Sequence, residues 1–237
     1  RPCESDIEYV APPGTFRNVV GVAWDRRRDA VWVCNTDLGF ASPPRLELVD
    51  PDDGSVIASH DFGAIGFCND ITFVGHDVLA TDSLGHRIVR VAADDVLDDT
   101  PVETWAAPPE FDAGPGFSLN GLAYDGKHAL YVAYIPTGSI FRAEVDHGDY
   151  AGVTELELDA ALAGPDGLYF TDIYGDQGFN SNFITNANIY RVRAGTQSSV
   201  HADVPPPAKP LLVARPNPAQ QAPEGACSTR GIRPFDA

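Results

Sequence analysis

The sequence predicts an all-β fold, a β-propeller of four-stranded blades. This prediction comes from the chain length, the abundance of glycine and proline, and four internal copies of one strand pattern. The chain has 237 residues with 22 Gly and 20 Pro, a composition that favours short strands and tight turns over long helices. A single all-β domain of this length can bury a core. Residues 1–237 are therefore predicted to form one domain, with a Pro-rich C-terminal segment over residues 205–237.

The internal repeat is the main indication of the blades. Four segments share one layout, in which an apolar alternation, a polar turn and a second apolar run are followed by a loop and a third strand. The segments begin with VVGVAWD, NDITFVG, NGLAYDG and LDAALAG, at intervals of about 40 to 50 residues, the size of a propeller blade. A β-sandwich is the alternative, but its units need not resemble one another. Four blades are legible, and residues 196–237 with a strand near Asp6–Val10 could complete a fifth.

Each copy is predicted as strand, tight turn, strand, loop and strand, with a fourth, outer strand after it. The turns are expected at Asp25–Asp29, Gly75–Asp77, Asp125–Lys127 and Pro165–Gly167. In the fourth copy the first strand would then start near Asp159. The long stretch Gly175–Asn188 would be an insertion that projects over the channel as a lid or a partner contact.

Charge and hydropathy exclude several partners. The chain has 16 basic against 34 acidic residues, a net charge of −18 at pH 7, which repels nucleic acids and anionic membranes. No apolar run approaches the roughly 18 residues that a membrane-spanning helix needs. We interpret the acidic surplus as a solvated surface, with a field that attracts cations to a site as the alternative.

The absence of Met indicates either a processed form or an incomplete record of the gene product. Four cysteines fit an oxidising compartment, and secretion is the expected location. Four cysteines allow three pairings. In one of them Cys3 joins Cys227 near the opposite termini, and Cys34 joins Cys68. We expect the Cys34–Cys68 bond to link adjacent blades, because Cys34 ends a second strand and Cys68 precedes a first strand.

The blade geometry predicts which polar residues converge. First strands of all blades start at one face of the central channel, and second strands return to that face. Superposed, the four copies place Val20, Asn69, Asn120 and Asp159 at first-strand starts, and Asn35, Asp82, Tyr134 and Asp172 at second-strand ends. Asn and Asp oxygens are hard donors of the kind that Ca²⁺ or Mg²⁺ takes. The alternative is that Asn and Asp begin strands because they suit turns.

The stretches NDITFVGHDVLATDSLGHRIVRV, NGLAYDGKHALYVAY and PDGLYFTDIYG resemble the regucalcin/gluconolactonase family, six-bladed propellers that include lactonases and organophosphate hydrolases. The resemblance spans roughly residues 18–195. It implies Ca²⁺ or another divalent cation on the channel axis, held by one Glu, two Asn and one Asp that also serves as base or nucleophile. Asn69 and Asn120 match the amides. Asp159 matches the Asp by hairpin spacing, whereas the family's frequent Pro-Asp-Gly pattern would select Asp166.

Val20 departs from this family pattern. The family's Glu-Gly-Pro-Val-Trp appears here as Val-Gly-Val-Ala-Trp, so Val20 stands where the carboxylate is expected. Four other polar residues could compensate, namely Asn35, Asp37, Asp82 and Asp172.

Two functions therefore stay open. One is a metal-dependent hydrolase of lactones or related esters, with a small-molecule substrate and Asp159 as the catalytic base. The other is a non-catalytic secreted propeller that binds or assembles with an extracellular protein. A metal-free relative that resembles strictosidine synthase is a third option, because this chain contains YFTD.

Overall fold

The structure, a computed structural model, describes the backbone of residues 10–159, 161–171, 176–181, 188–194 and 200–203, and the side chains of residues 10–159 and 161–168. These residues form four antiparallel sheets, each of four strands that follow one another along the chain. A short 3₁₀ helix, Pro109–Phe111, precedes the third sheet. The predicted β-propeller fold is confirmed.

The sheets are the blades of the propeller and are numbered in chain order. Blade 1 contains β1 (Val19–Asp25), β2 (Ala30–Asn35), β3 (Arg45–Val49) and β4 (Val56–Asp61). Blade 2 contains β5 (Cys68–Val74), β6 (Asp77–Asp82), β7 (Arg87–Val91) and β8 (Glu103–Ala106). Blade 3 contains β9 (Leu119–Tyr124), β10 (Ala129–Tyr134), β11 (Ser139–Asp146) and β12 (Asp149–Glu155). Blade 4 contains β13 (Gly167–Thr171), β14 (Asp176–Ser181), β15 (Asn188–Ala194) and β16 (Val200–Asp203).

The first strands of the blades lie side by side and line the channel. Strand β5 contacts β1 on one side and β9 on the other, and β9 also contacts β13. A Cβ atom on Gly21 would lie 2.2 Å from the backbone oxygen of Asn69, and one on Gly121 would lie 2.1 Å from that of Asp166. Only glycine allows neighbouring backbones to come this close.

The hydrophobic core lies between successive blades. Trp32 and Leu48 of blade 1 pack with Val89 of blade 2, and further buried apolar layers lie between blades 2 and 3 and between blades 3 and 4. Burial of apolar surface, at about 25 cal/mol per Å², holds one blade against the next. This arrangement explains why each strand alternates apolar residues in the sequence.

The disulfide between Cys34 and Cys68 forms as predicted. It joins the end of β2 to the start of β5, with a Cα–Cα distance of 5.2 Å, and so links blades 1 and 2. Cys3 and Cys227 lie outside the described residues. In the described part of the chain, no helix has the length and apolar character needed to cross a membrane.

The sequence-based prediction for blade 4 is wrong in register. Strand β13 begins at Gly167, so Pro165–Gly167 lies at the start of the first strand rather than at the turn after it. The stretch before it is a connection between blades, because Leu162 is buried in the core against blade 3 and its N–H donates to the Gly138 carbonyl at 2.8 Å. The apolar residues between Asp159 and Gly164 are spaced like those of a strand, although this stretch is a connection.

The predicted lid is also corrected. Asp176–Ser181 forms strand β14, which pairs with β13 on one side and β15 on the other. This part of the expected insertion is therefore the second strand of blade 4. Residues 175 and 182–187 of the expected lid lie outside the described residues.

Candidate functional site

The four first strands have one common register at the channel mouth, the end of the channel where these strands begin. Their equivalent tripeptides are Val20-Gly21-Val22, Asn69-Asp70-Ile71, Asn120-Gly121-Leu122 and Asp166-Gly167-Leu168. The third residues pair with Val33, Ala80, Val132 and Phe179 of the second strands. Asp166 thus occupies the blade 4 position that hairpin spacing assigned to Asp159.

A β-bulge lies at this point in each of the first three blades. The pairing register shifts between Val19 and Val22, between Cys68 and Ile71, and opposite Val132 and Tyr134 in blade 3. Bulges bend a strand and redirect its side chains, and they are frequent beside active sites. The residues at the mouth are therefore held in a repeated, non-regular backbone.

Asn120 and Asp166 form one contact pair across blades 3 and 4. Asn120 is only 5% exposed, and its side-chain amide donates a hydrogen bond to the Asp166 carboxylate. The N–H of Gly121 donates to the Asp166 backbone oxygen at 2.8 Å. The backbone bond holds the Asp166 main chain against β9, and Asn120 is the polar neighbour that acts on its carboxylate.

Asp70 stands where the other three blades have glycine. Its Oδ2 accepts the N–H of Leu122 at 2.7 Å, and its Oδ1 accepts the N–H of Ile71 at 2.9 Å. The Thr81 hydroxyl joins the two backbones here, because it accepts the Asp70 N–H at 3.1 Å and donates to the Asn120 carbonyl at 2.9 Å. Between β5 and β9 the hydrogen bonds thus pass through the side chains of Asp70 and Thr81. Between β9 and blade 4 the Gly121 N–H donates directly to a backbone oxygen.

The two carboxylates at the mouth disfavour each other's charge. The pKa of Asp70 is raised to about 6, because burial and, to a smaller extent, the charge of Asp166 outweigh the hydrogen bonds from Leu122 and Ile71. Burial also raises the pKa of Asp166, while the hydrogen bond from Asn120 lowers it. Desolvation and a like charge act in the same direction on a carboxyl group. A cation between these two groups would relieve both effects.

Asn69 contacts Ser83, and of the polar residues at the mouth it is Asp70 that lines a cavity. The Asn69 amide donates to the Ser83 hydroxyl at 3.1 Å. A cavity of 320 Å³ opens along the first strands, lined by Asp70 together with Val22, Leu122 and Leu168. Asp70 therefore faces space that a small ligand can enter.

Asp82 was predicted as a pocket residue, but its carboxylate instead bonds the loops that flank β5 and β6 in blade 2. It is 1% exposed. Its Oδ1 accepts the N–H groups of Phe67 and Gly85, both at 2.9 Å, and Arg87 donates to its Oδ2 at 3.0 Å. A buried carboxylate with these partners has a structural role.

Other predicted pocket residues also have bonding partners. Asn35 accepts the N–H of Arg17 and donates to Glu47, both at 2.9 Å. The Tyr134 hydroxyl donates to the Asp112 carbonyl at 3.1 Å. Asp37 accepts hydrogen bonds from Arg17, Gly39, Ala41 and Ser42. Asp172 lies outside the described residues.

Asp159 is exposed in the connection between β12 and β13. The structure does not place it at a strand start, and its assignment as catalytic base and metal ligand stays a prediction. The signal for Asp166 was present in the sequence, because Asp166-Gly167-Leu168 matches Asn120-Gly121-Leu122 residue by residue. The thirteen-residue hairpin spacing favoured Asp159 instead, although Asp166 matches by local sequence.

The donors at the mouth fit a hard divalent cation better than a transition metal. Among the residues with described side chains, no group of three or more His, Cys, Asp and Glu residues could hold a metal ion. The set at the mouth instead consists of two carboxylates, Asp70 and Asp166, and two amides, Asn69 and Asn120. Oxygen donors of this kind suit Ca²⁺ and, with added water, Mg²⁺.

Comparisons with known proteins show the fold. No protein-family profile and no curated protein matches the sequence. A streptogramin B lyase is 17% identical with a TM-score of 0.58, covering 82% of this chain and 57% of that protein. A putative 6-phosphogluconolactonase from Bacteroides fragilis is 15% identical with a TM-score of 0.52, covering 77% and 55%. The Swd1 β-propeller domain of Myceliophteria thermophila is 13% identical with a TM-score of 0.46, covering 69% and 47%. The chain spans about half the length of these proteins, and with the first two it shares a β-propeller fold.

Proposed function

We propose that the channel mouth binds a divalent cation and that the chain is a metal-dependent hydrolase of lactones or related esters. The observation that carries this proposal is the meeting of Asp70, Asp166 and Asn120 at the bulged starts of neighbouring first strands. A lyase and a putative lactonase among the structures of similar fold support a small-molecule substrate. The implied metal of the resembling family fits the oxygen donors that are present.

The position of Asp70 compensates for the missing charge at Val20. The resemblance predicts a Glu at the first-strand start of one blade, where this chain has Val20. Asp70 supplies a second carboxylate one residue further along the neighbouring strand, beside Asp166. Two carboxylates then give the site the negative charge that a Ca²⁺ ion needs, and two amides supply further oxygen donors.

The residues at the mouth can divide the work of ester hydrolysis. A bound divalent cation supplies Lewis-acid polarisation of a carbonyl group. Asp166, beside Asn120, would accept a proton from water as general base, and burial raises its pKa above the ordinary value. Asp70 is held by the N–H groups of Leu122 and Ile71, so its carboxylate keeps one orientation toward the cavity. Asp159 is the alternative base that hairpin spacing selects.

Calcium titration of the full chain tests the site. The purified protein is freed of metal with EDTA and titrated with Ca²⁺ by calorimetry, alongside Asp166→Asn, Asp70→Asn and Asp159→Asn. We expect saturable binding in the wild type, at least a tenfold loss of affinity in the first two variants, and no change in the third. Loss of binding only in Asp159→Asn would return the assignment to that residue, and absence of binding in the wild type would refute the cation site.

Hydrolysis is tested separately from binding. A panel of γ- and δ-lactones and aryl esters is incubated with the calcium-loaded protein, and acid release is followed with a pH indicator. We expect turnover that EDTA abolishes and that Asp166→Asn lowers by two orders of magnitude or more, in line with the loss of a general base.

The second candidate is a non-catalytic secreted propeller with a binding or assembly role. Val20 favours it, because this apolar residue is 38% exposed at the fourth position of the mouth and offers no ligand atom. Calcium binding without turnover on any lactone or ester would favour this alternative. The Cys34–Cys68 bond indicates an oxidising environment, which agrees with secretion in either case.

A further inference from the structure

The positive charges that lack a carboxylate partner gather at the end of the channel opposite the mouth. In the part of the chain whose side chains are described, six arginines form ion pairs with carboxylates, namely Arg17, Arg28, Arg45, Arg87, Arg90 and Arg142. The remaining described cations, Arg26, Arg27 and Lys127, pair with no described carboxylate. All three lie in turns that follow first strands, roughly 20 Å from the mouth at the rise of a strand.

A cavity of 580 Å³ opens at this end between blades 2 and 3. It is called the turn-end cavity. Its basic side chains come from the β5–β6 turn of blade 2 and from the β9–β10 and β11–β12 turns of blade 3, and they are His76, Lys127, His128 and His147. The guanidinium of Arg27 lies beside them, because it donates at 2.6 Å to the carbonyl of Gly75, which also lines the cavity.

The turns of blade 3 are held in place by hydrogen bonds of their own. Oδ1 of Asp125 accepts the N–H groups of Lys127 and His128 at 2.8 and 2.9 Å. The Val145 N–H donates to the His128 carbonyl at 2.8 Å, which joins the β9–β10 turn to the end of β11. A site that is formed before its ligand arrives loses less entropy on binding.

The charge of the turn-end cavity depends on pH. With neutral histidines, the positive charge of Lys127 is opposed by two lining carboxylates. The titratable groups that line the cavity besides Lys127 and the histidines are Asp77, Tyr124 and Asp146. Arg90 lies 3.7 Å from Asp77 and offsets its charge, while Asp146 is 77% exposed. Histidine gains its positive charge between pH 8 and pH 5, so acidification makes a nearly neutral cavity cationic.

We propose that the turn-end cavity binds a small polyanion, a molecule with two or more phosphate, sulfate or carboxylate groups, and that acidic pH strengthens this binding. Ammonium, guanidinium and imidazolium groups form charge-assisted hydrogen bonds with such anions. The concave shape favours a small molecule over a flat macromolecular surface. The net charge of −18 repels long polyanions, but salt screens it beyond about 8 Å, so the local cations dominate for a small ligand.

Calorimetry with pyrophosphate tests this inference without involving the proposed hydrolase. The full oxidised chain is titrated in EDTA and 0.1 M NaCl at pH 5.5 and pH 8, alongside Lys127→Gln and His128→Gln. The matched control is Arg45→Gln, which also removes one positive charge but lies at the start of β3, at the other end of its blade. All three side chains are exposed, so their replacement leaves the core intact.

We expect one saturable site at pH 5.5 that binds about tenfold more weakly at pH 8. Loss of one charge-assisted contact should weaken binding at pH 5.5 by about tenfold in Lys127→Gln and in His128→Gln. Arg45→Gln should bind as the wild type does. His128→Gln should also show a smaller change in affinity between the two pH values, because one of the titrating groups is gone. Citrate and a disulfated disaccharide, titrated in the same way, identify which anionic group binds best.

Four results would overturn the inference. The wild type could show no saturable binding of any of the three anions at pH 5.5, or an affinity that does not change with pH. An equal loss in Arg45→Gln would assign the effect to the overall charge of the chain. Binding to phosphatidylserine vesicles at pH 5.5 without binding to a small anion would assign this end of the channel to a membrane surface instead.

Discussion

Replacing Asp70 with Asn should stabilise the cation-free protein at neutral pH. Folding raises the pKa of Asp70 from 3.8 to about 6, so the charged carboxylate is less favourable in the folded than in the unfolded chain. The folded state binds more protons between these two pH values, and the free energy of unfolding therefore decreases as pH rises from about 4 to about 6. Below 3.8 both states are protonated and the penalty vanishes.

The size of the effect follows from the pKa shift and the hydrogen bonds. A shift of about two units costs about 3 kcal/mol of stability above pH 6. Asn retains an oxygen for the Leu122 N–H but lacks the second acceptor that the Ile71 N–H uses, a loss of about 1 kcal/mol. The net expectation is a stabilisation of about 2 kcal/mol at pH 8 and a slight loss at pH 4.

Urea unfolding in EDTA at pH 4, 6 and 8 measures this difference. Asp52→Asn is the matched control, because Asp52 is exposed in the turn between β3 and β4 and its replacement should change stability by less than about 0.5 kcal/mol. Added Ca²⁺ should reduce the stability difference at pH 8, since the wild type gains more free energy of binding than Asp70→Asn does. A difference between wild type and Asp70→Asn that is the same at all three pH values would refute the reasoning.

Three further predictions concern the framework of the site. Gly121→Ala should lower the free energy of unfolding by about 3 kcal/mol, because its Cβ would lie 2.1 Å from the Asp166 backbone oxygen. Gly39→Ala is the control and should cost little. Urea unfolding compares the two variants, and equal losses of stability would contradict the close contact at Gly121. Asp82→Asn should lower the free energy of unfolding by about 3 kcal/mol, because Arg87 loses the charge of its buried partner. A thermal midpoint equal to that of the wild type would exclude a structural role for Asp82. Replacing both cysteines of the Cys34 disulfide with Ser should cost about 4 kcal/mol for a loop of 34 residues, and an unchanged urea midpoint would speak against that bond.

The blade pattern was predictable because it is local. Each copy contains the alternation of apolar and polar residues, the turn residues and the strand spacing. These local features place the first-strand starts at Asn69 and Asn120. The start of blade 4 was missed because Leu162 supplies an apolar residue at strand-like spacing while it packs against blade 3. The contact between Leu162 and Gly138 and the start of β13 at Gly167 show that this stretch is a connection.

The roles of the polar residues were harder to predict because their partners are distant in sequence. Asn35 meets Glu47, and the Tyr134 hydroxyl reaches Asp112, across loops whose course the sequence does not state. For Asp70 a signal did exist, since it replaces a glycine that the other three copies share. A residue that departs from a repeat at the point of closest backbone approach is one to examine for function.

Two aspartates in blade 2, the buried Asp82 and the half-buried Asp70, show how charge partners separate a structural from a functional role. Asp82 and Asp70 each accept two backbone N–H groups. Asp82 also has the guanidinium of Arg87 at 3.0 Å, so its charge is neutralised inside the protein. The charge that acts on Asp70 is instead the like charge of Asp166. A carboxylate held without a compensating charge lowers stability, and a cation bound between Asp70 and Asp166, as proposed above, would remove that cost.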